Sequence, residues 1–173
     1  GASAVPNHAL AHHGYRDPAV ADLECGYEAL MSLQPVIRAS GARLAIENGY
    51  PGARRMLPYF ARLPADTFGF VLDTGHANLD EAGALELICQ STVGRMISLH
   101  LNDNCRAKDS HLPPGLTPGT LDWPAVAQAI RATGYDGCIL WEVFAQLAGR
   151  QDDPAPTMAR TMAISRQYFS PQP

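Results

Sequence analysis

Four short apolar runs, each ending in a residue that can bind a metal, most constrain the fold of this 173-residue chain. They lie in the segments "RLAIEN", "TFGFVLDTGH", "RMISLHLND" and "GCILWEVF", at 43–48, 67–76, 95–103 and 137–144. The runs are continuous rather than alternating, which is typical of parallel strands covered on both faces. Helical stretches separate them, and repeated strand–helix units predict an α/β barrel or an open parallel sheet.

The segments between and around these runs are predicted to be mostly helical. The predicted helices cover 17–40, 51–63, 79–91, 122–134 and 156–169, and a further strand is expected at 2–9. Two helices contain a proline, so we expect a break at Pro35 and a kink or interruption at Pro58. Asp122 is the expected amino-terminal cap of the helix at 122–134, and Asn78 or Asp80 that of the helix at 79–91.

Composition excludes several classes of protein. Hydrophobic residues make up 46% and charged residues 17%, which is a globular composition. The net charge is -4 and no basic stripe is present, which argues against a large nucleic-acid site. No apolar run approaches the ~18 residues of a membrane span. Four scattered cysteines without a CxxC pair fit reduced thiols, so a cytoplasmic location is expected.

The residues that end the four apolar runs point to a metal site. These residues are Glu47, Asp73, His100 and Glu142. In a parallel barrel, the carboxyl ends of all strands lie on one face, where active sites are built. Taken singly, each carboxylate could be a helix cap or a surface charge, and the histidine a structural one. Their joint occurrence favours one divalent cation, held by hard oxygens and one imidazole.

Further polar residues follow the second and third runs. His76 lies in "DTGH", and Asp109 and His111 form a D-x-H pair just before "LPPG". A turn-stabilising histidine and a polar loop closed by prolines are the structural alternatives. We expect Asp109 and His111 to lie on a loop that covers the pocket from one side. Asp103 is expected to be structural, accepting hydrogen bonds from backbone amides of its own turn.

Together these motifs resemble the xylose-isomerase-like TIM-barrel superfamily. The resemblance runs from about residue 40 to 144, through "LAIEN", "LDTGHAN", "SLHLNDN", "DSHLPPG", "GTLDWPAVAQAIRATGYDG" and "WEVF". The superfamily contains sugar-phosphate isomerases and epimerases, inosose isomerases and dehydratases, and the endonuclease IV class of apurinic-site nucleases. The metal ligands that the resemblance implies are the same four strand-end residues.

The resemblance also implies roles in catalysis and substrate binding. Glu47 and Glu142 match the acid–base pair. His76 matches a histidine that contacts substrate in isomerases or a further metal in the nucleases, and Arg106 resembles an arginine that holds substrate oxygens. Asp109 and His111 resemble the D-x-H that binds an extra zinc in the nucleases, although isomerase relatives also carry this segment.

The activity implied is proton transfer through an enediolate on a sugar, sugar phosphate or cyclitol, with Mn, Mg, Co or Zn as the cofactor. The alternatives are an endonuclease IV-like zinc phosphodiesterase and a truncated, non-catalytic metal-binding half-barrel. Two departures from the family pattern weaken assignment to one subgroup. Ala53 stands where ketose 3-epimerases carry another glutamate, and the loop "PGLTPG" is slightly longer than usual.

Chain length limits how much of a barrel can form. A complete barrel takes ~250 residues, so 173 residues provide about five parallel strands. We therefore expect a single domain over 1–173, a partial TIM-type barrel without the amino-terminal strand–helix units, which acts as an enzyme if the barrel is completed. Unpaired strand edges favour pairing with another chain, so a homo-oligomer is expected. The other expected partner is a small sugar-like substrate, and no membrane binding is expected.

Overall fold

The computed structural model describes residues 20–49, 51–115, 118–144 and 154–170. This part of the chain contains three strands and six helices. The strands are β1 (Leu44–Glu47), β2 (Phe68–Asp73) and β3 (Met96–His100). The helices are α1 (Val20–Ser40), α2 (Ala53–Arg62), α3 (Thr74–Leu79), α4 (Ala84–Ser91), α5 (Trp123–Ala132) and α6 (Ala155–Phe169).

The three strands form a parallel sheet in the order β1-β2-β3. All six residues of the central strand, "FGFVLD", are buried, as expected for a parallel strand covered on both faces. The register pairs Leu44 with Phe68 and Asp73 with His100. The carboxyl ends of the strands therefore lie at one edge of the sheet. The predicted α/β fold, a partial parallel barrel, is confirmed.

The fourth apolar run, "GCILWEVF", does not form a regular strand. It makes one parallel bridge to the segment after β3, between Leu101 and Trp141. The Leu101 amide donates to the Leu140 carbonyl oxygen at 2.9 Å, and the Glu142 amide donates to the Leu101 carbonyl oxygen at 2.9 Å. The described residues thus hold three strands and this bridge, where the sequence predicts about five strands. The strand expected at 2–9 lies outside the described residues.

The break expected at Pro35 is wrong, because helix α1 continues through this proline. Helix α2 likewise continues through Pro58, so the interruption expected there as the alternative to a kink is absent. The cap predictions also differ for the segment after β2. Residues 74–91 form two helices, because Asp73 caps α3 by accepting the His76 amide at 2.7 Å. Helix α4 begins after Gly83, whose φ of 81° places it in the left-handed region.

The hydrophobic core lies between the sheet and the inner faces of α2, α4 and α5. Phe60 of α2 and Phe70 of β2 contact each other edge to face, with ring centroids 5.0 Å apart and planes inclined by 75°. The largest fully buried apolar side chains are Phe60, Phe68, Phe70, Leu72, Ile88, Leu99, Leu101, Ile130 and Val126. This packing holds the strand ends in fixed positions. Among the described residues, no helix combines the length and apolar character needed to span a membrane.

Replacing Asp122 with alanine is expected to lower the free energy of unfolding by about 1 kcal/mol. The Asp122 side chain accepts the Ala125 amide at 3.3 Å and caps α5, as predicted from the sequence. Urea denaturation followed by circular dichroism measures the change. Asp136→Ala is the matched control, because Asp136 is exposed and lies beyond the helix. Equal losses in the two variants would contradict the capping role.

Candidate metal centre

Four side chains converge at the carboxyl edge of the sheet, and we call them the four-ligand cluster. Glu47, Asp73 and His100 end β1, β2 and β3, and Glu142 follows the bridge at Trp141. Each offers one oxygen or nitrogen atom, and these four atoms all lie within 4.8 Å of one another. His100 Nδ1 lies 3.0 Å from Glu47 Oε1 and 3.3 Å from Glu142 Oε2. The parallel register brings together residues that are far apart in sequence.

The geometry of the four-ligand cluster fits a divalent cation. Two atoms that bind one cation at ~2.0–2.6 Å lie at most ~4–5 Å apart. The four ligand atoms lie within 4.8 Å of one another, which is inside this range. Three carboxylates and one imidazole are the donor set that Mg²⁺, Mn²⁺, Co²⁺ and Zn²⁺ share. The residues present therefore fit such an ion.

Burial differs sharply within the four-ligand cluster. The Asp73 side chain is 0% exposed, whereas those of Glu47, His100 and Glu142 are 37%, 30% and 37% exposed. The pKa of Asp73 is raised to about 6, chiefly by burial; His76 lowers it, and the charges of Asp109 and Glu47 contribute to the rise. A cation beside Asp73 would favour its ionised form. The cluster therefore has one buried oxygen donor and three donors that face a solvent-accessible space.

A second group, the imidazole–carboxylate cluster, consists of His76, Asp109 and His111. Asp109 Oδ2 lies 3.2 Å from His76 Nε2 and 3.1 Å from His111 Nε2. His76 Nδ1 lies 2.8 Å from the Asn48 carbonyl oxygen and 3.6 Å from Glu47 Oε1. The structure thus places these residues next to the four-ligand cluster.

The imidazole–carboxylate cluster is an ion pair at neutral pH. Burial alone would lower the pKa of His76, but the hydrogen bond with Asp109 and the charges of Asp73 and Asp109 outweigh it and raise the pKa to about 9. Burial alone would raise the pKa of Asp109, and the hydrogen bond and charge of His76, together with His111, lower it instead. Both ring N–H groups of His76 are engaged, with the Asn48 carbonyl oxygen and with Asp109, so the imidazole contributes positive charge beside Glu47.

Comparison with known proteins identifies the family of the chain. The family model described as the xylose isomerase-like TIM barrel matches residues 1–168. The chain belongs to this family. The superfamily predicted from the sequence motifs is thereby confirmed.

Two similar proteins extend the comparison. The chain is 42% identical over 76 residues to the uncharacterized protein y4fM of Sinorhizobium fredii (strain NBRC 101917 / NGR234). The matched region covers 44% of this chain and 24% of that protein. It also resembles the crystal structure of a D-tagatose 3-epimerase-like protein with a TM-score of 0.62 and 20% identity. That match covers 86% of this chain and 57% of the epimerase-like chain. At this identity the likeness shows the fold, and this member of the xylose isomerase-like family spans only part of both proteins.

Arg106 lies apart from both clusters. It is exposed, and its Nη2 lies 3.5 Å from the Asp80 carbonyl oxygen. Among the described residues it forms no ion pair with either cluster. Its φ of 62° and the φ of 45° at His111 are left-handed backbone conformations, which non-glycine residues seldom adopt. Both residues therefore lie in a tightly turned loop beside the site.

Asp103 fixes this loop rather than facing the four-ligand cluster. Its Oδ1 accepts the amides of Asn104 at 2.8 Å, Thr120 at 2.9 Å and Leu121 at 3.2 Å. Its Oδ2 accepts the indole N–H of Trp123 at 3.2 Å. The side chain is buried, so these four donors replace its water shell. Asp103 therefore joins the end of the third run to the start of α5.

Two buried asparagines support Asp73, and the sequence analysis missed them. Asn48 Nδ2 donates to the Asp73 carbonyl oxygen at 2.8 Å, and the Asp73 amide donates to Asn48 Oδ1 at 2.7 Å. Asn102 Nδ2 contacts both carboxylate oxygens of Asp73. A pattern could have indicated them, because an asparagine follows Glu47 directly and follows His100 two residues later.

Proposed function

We propose that the chain is the site-bearing part of a divalent-metal-dependent isomerase or epimerase that acts on a sugar, sugar phosphate or cyclitol. The observation that carries the proposal is the four-ligand cluster, assembled at the carboxyl edge of a parallel sheet. Active sites of parallel barrels lie at that edge. Membership of the xylose isomerase-like family and the fold of the epimerase-like protein support the choice of substrate class.

The proposed chemistry is proton transfer between neighbouring carbons through an enediolate. A bound cation would supply Lewis-acid stabilisation of the negative charge that develops on the substrate oxygens. Glu47 Oε1 and Glu142 Oε2 lie 3.0 and 3.3 Å from His100 Nδ1, so the two carboxylates border the same space. One glutamate removes a proton from the substrate as the general base and keeps it, and the other, protonated beforehand, donates its own proton to the enediolate as the general acid.

The imidazole–carboxylate cluster is proposed to hold substrate. His76 is proposed to exchange the Asn48 carbonyl oxygen, 2.8 Å from Nδ1, for a substrate oxygen next to Glu47, while Asp109 stays on Nε2 and keeps the imidazole charged. His111 fixes Asp109 from the other side at 3.1 Å. Arg106 is proposed to reach the substrate by turning from its contact with the Asp80 carbonyl oxygen. A substrate rich in hydroxyl or phosphate oxygens fits these donors.

The test of this activity is solvent isotope exchange. We expect the chain with Mn²⁺ in D₂O to interconvert at least one member of a panel of ketoses, ketose phosphates and cyclitols, D-tagatose included. Deuterium should appear at one substrate carbon in the proton NMR spectrum. Glu142→Gln should lower kcat by about 10²–10⁴-fold, since general acid–base catalysis contributes that much. Metal binding with no turnover on any member would favour a non-catalytic half-barrel instead.

A second candidate is an endonuclease IV-like zinc phosphodiesterase. The observation that favours it is the position of Asp109 Oδ2 between two imidazole nitrogens, a donor set suited to a further zinc. The net charge of -4 opposes it, because DNA binding relies on basic surface. Cleavage of an oligonucleotide with one abasic site, in the presence of Zn²⁺, would support this candidate over the isomerase.

We also propose that the chain forms a homo-oligomer. Within the described residues, β1 pairs with β2 on one side and with no strand on the other. No residue of α1 is buried, and the apolar side chains of Leu33 and Val36 are exposed. Open strand edges and exposed apolar surface are typical of interfaces.

Light scattering is expected to give a mass of at least twice the 18.6 kDa of one chain at micromolar concentration. An interface of ~1,600 Å² is the usual size for a stable complex. Val36→Glu places a charge on the exposed face of α1 and should shift the mass toward that of one chain. A stable monomer for the unaltered chain would contradict the proposal.

A further inference from the structure

The Asp73 carboxylate is held by two donors that leave it little freedom. The His76 amide donates to Oδ1 at 2.7 Å, and Asn102 Nδ2 lies 3.3 Å from Oδ1 and 3.1 Å from Oδ2. Asp73 and Asn102 are both fully buried. The hydrogen bond from the His76 amide restrains Oδ1 alone. Asn102 contacts both oxygens, so it adds a restraint on rotation of the carboxylate about the Cβ–Cγ bond.

Asn102 is itself anchored by its backbone. Its amide donates to Thr74 Oγ1 at 2.9 Å, and the Thr74 hydroxyl donates to the Asn102 carbonyl oxygen at 2.7 Å. Thr74 is fully buried and directly follows Asp73. The Asn102 side chain therefore starts from a fixed point beside the carboxylate that it contacts.

The other end of the Asn102 side chain has no hydrogen-bond partner. Oδ1 is buried and lies so close to Gly75 that a Cβ there would overlap it. A buried unpaired acceptor costs stability by roughly 1–3 kcal/mol. If the Asn102 side-chain amide were flipped to exchange Nδ2 and Oδ1, its Oδ1 would face the Asp73 carboxylate oxygens. Hydrogen-bond acceptors in such contact repel each other. A side chain chosen only for packing would not carry this unpaired oxygen.

We propose that Asn102 is a positioning residue, whose amide sets the rotation of the Asp73 carboxylate so that one oxygen faces Glu47, His100 and Glu142. The inference rests on the proposed metal site. In this role the unpaired Oδ1 of Asn102 lowers the stability of the fold, and its Nδ2 raises the affinity for the cation. Those two effects separate it from a residue that only fills the core.

Three variants test this role by titration calorimetry with Mn²⁺ and by thermal melting without metal. Asn102→Leu keeps roughly the side-chain volume and removes both the amide donor and the unpaired oxygen. We expect Mn²⁺ affinity to fall about 10–100-fold, as for other groups that orient ligands, while the melting temperature stays the same or rises. Gly75→Ala, which keeps Asn102 but displaces its amide, should lower affinity in the same direction.

Asn104→Ala is the matched control. Asn104 is equally buried and donates to the Gly75 carbonyl oxygen at 2.8 Å, but it contacts no member of the four-ligand cluster. This variant should lower the melting temperature and keep Mn²⁺ affinity within about twofold. Unchanged affinity in both Asn102→Leu and Gly75→Ala, or equal loss in Asn104→Ala, would overturn the positioning role. If the unaltered chain binds no Mn²⁺, the proposed metal site itself fails, and the inference fails with it.

Discussion

Replacing His100 with alanine is expected to weaken Mn²⁺ binding by more than ~100-fold. Loss of a group that only orients a ligand costs 10–100-fold in affinity, and His100 supplies the single imidazole nitrogen of the four-ligand cluster. Its Nδ1 lies within 3.3 Å of both the Glu47 and the Glu142 carboxylate, closer than the nearest nitrogen of His76 or His111. Titration calorimetry at neutral pH measures the change, and the circular dichroism spectrum verifies that the variant is folded.

The matched histidine control is His111→Ala. His111 Nδ1 contacts the main-chain oxygen of Glu142 at 3.0 Å, whereas the Glu142 carboxylate is 3.9 Å away. The control should therefore retain Mn²⁺ affinity within about tenfold, less than the loss expected for a ligand. Equal losses in the two variants would mean that His100 is not distinguished as a ligand. A larger loss in His111→Ala would move the metal to the imidazole–carboxylate cluster.

Asp103→Ala is expected to lower the free energy of unfolding by about 3–5 kcal/mol. The change leaves the Asn104 and Leu121 amides and the Trp123 indole N–H without this acceptor, whereas the Thr120 amide keeps its bond to the Asn104 carbonyl oxygen at 3.1 Å. Hydrogen bonds to a charged group contribute about 1.5–3 kcal/mol each, and unpaired buried donors add a desolvation cost. Urea denaturation measures the loss. Mn²⁺ affinity should change by less than about tenfold, because Asp103 does not face the four-ligand cluster.

Asp103→Asn separates charge from shape. The amide keeps one carbonyl oxygen for the backbone donors but gives the Trp123 indole a donor instead of an acceptor. We expect a smaller loss, about 1–3 kcal/mol. A fall in Mn²⁺ affinity in Asp103→Asn equal to that in His100→Ala would reverse the assignment of the two residues. The comparison thus separates the candidate ligand His100 from the loop anchor Asp103, three residues later in the chain.

The sheet could be predicted because its three strands are continuous apolar runs. "LAIE", "FGFVLD" and "MISLH" each carry enough β-branched, aromatic or leucine residues to be recognised without knowledge of their neighbours. The fourth run has a similar composition but forms only the bridge at Trp141. Pairing depends on the position of the neighbouring strand, which the local pattern does not contain.

The division of residues 74–91 into α3 and α4 illustrates a different limit. The pattern "LDEAGALELICQS" contains apolar residues at helical spacing, so one helix from 79 is predicted. In the structure Asp73 caps a helix that begins five residues earlier, at Thr74, and Asp80 instead accepts the Ala53 amide at 2.6 Å. Asp80 is thus used in a tertiary contact 27 residues away along the chain. Capping choices of this kind depend on distant partners.

The four candidate ligands could be predicted because parallel strands carry their carboxyl ends to one edge. Their convergence within 4.8 Å follows from the register that pairs Asp73 with His100. Asn48 and Asn102 were missed because the prediction was based on carboxylates and imidazoles, and a neutral amide is neither charged nor a preferred metal ligand. Their importance comes from burial and from contact with Asp73, neither of which can be seen in the sequence. Asparagine in a sequence more often indicates a turn.

The most direct test of the four-residue metal site is an anomalous difference map from crystals soaked in Mn²⁺. The expected result is one peak within ~2.0–2.6 Å of an oxygen or nitrogen from each of Glu47, Asp73, His100 and Glu142. A map with no peak at these residues, or with its peak among His76, Asp109 and His111 alone, would contradict the account.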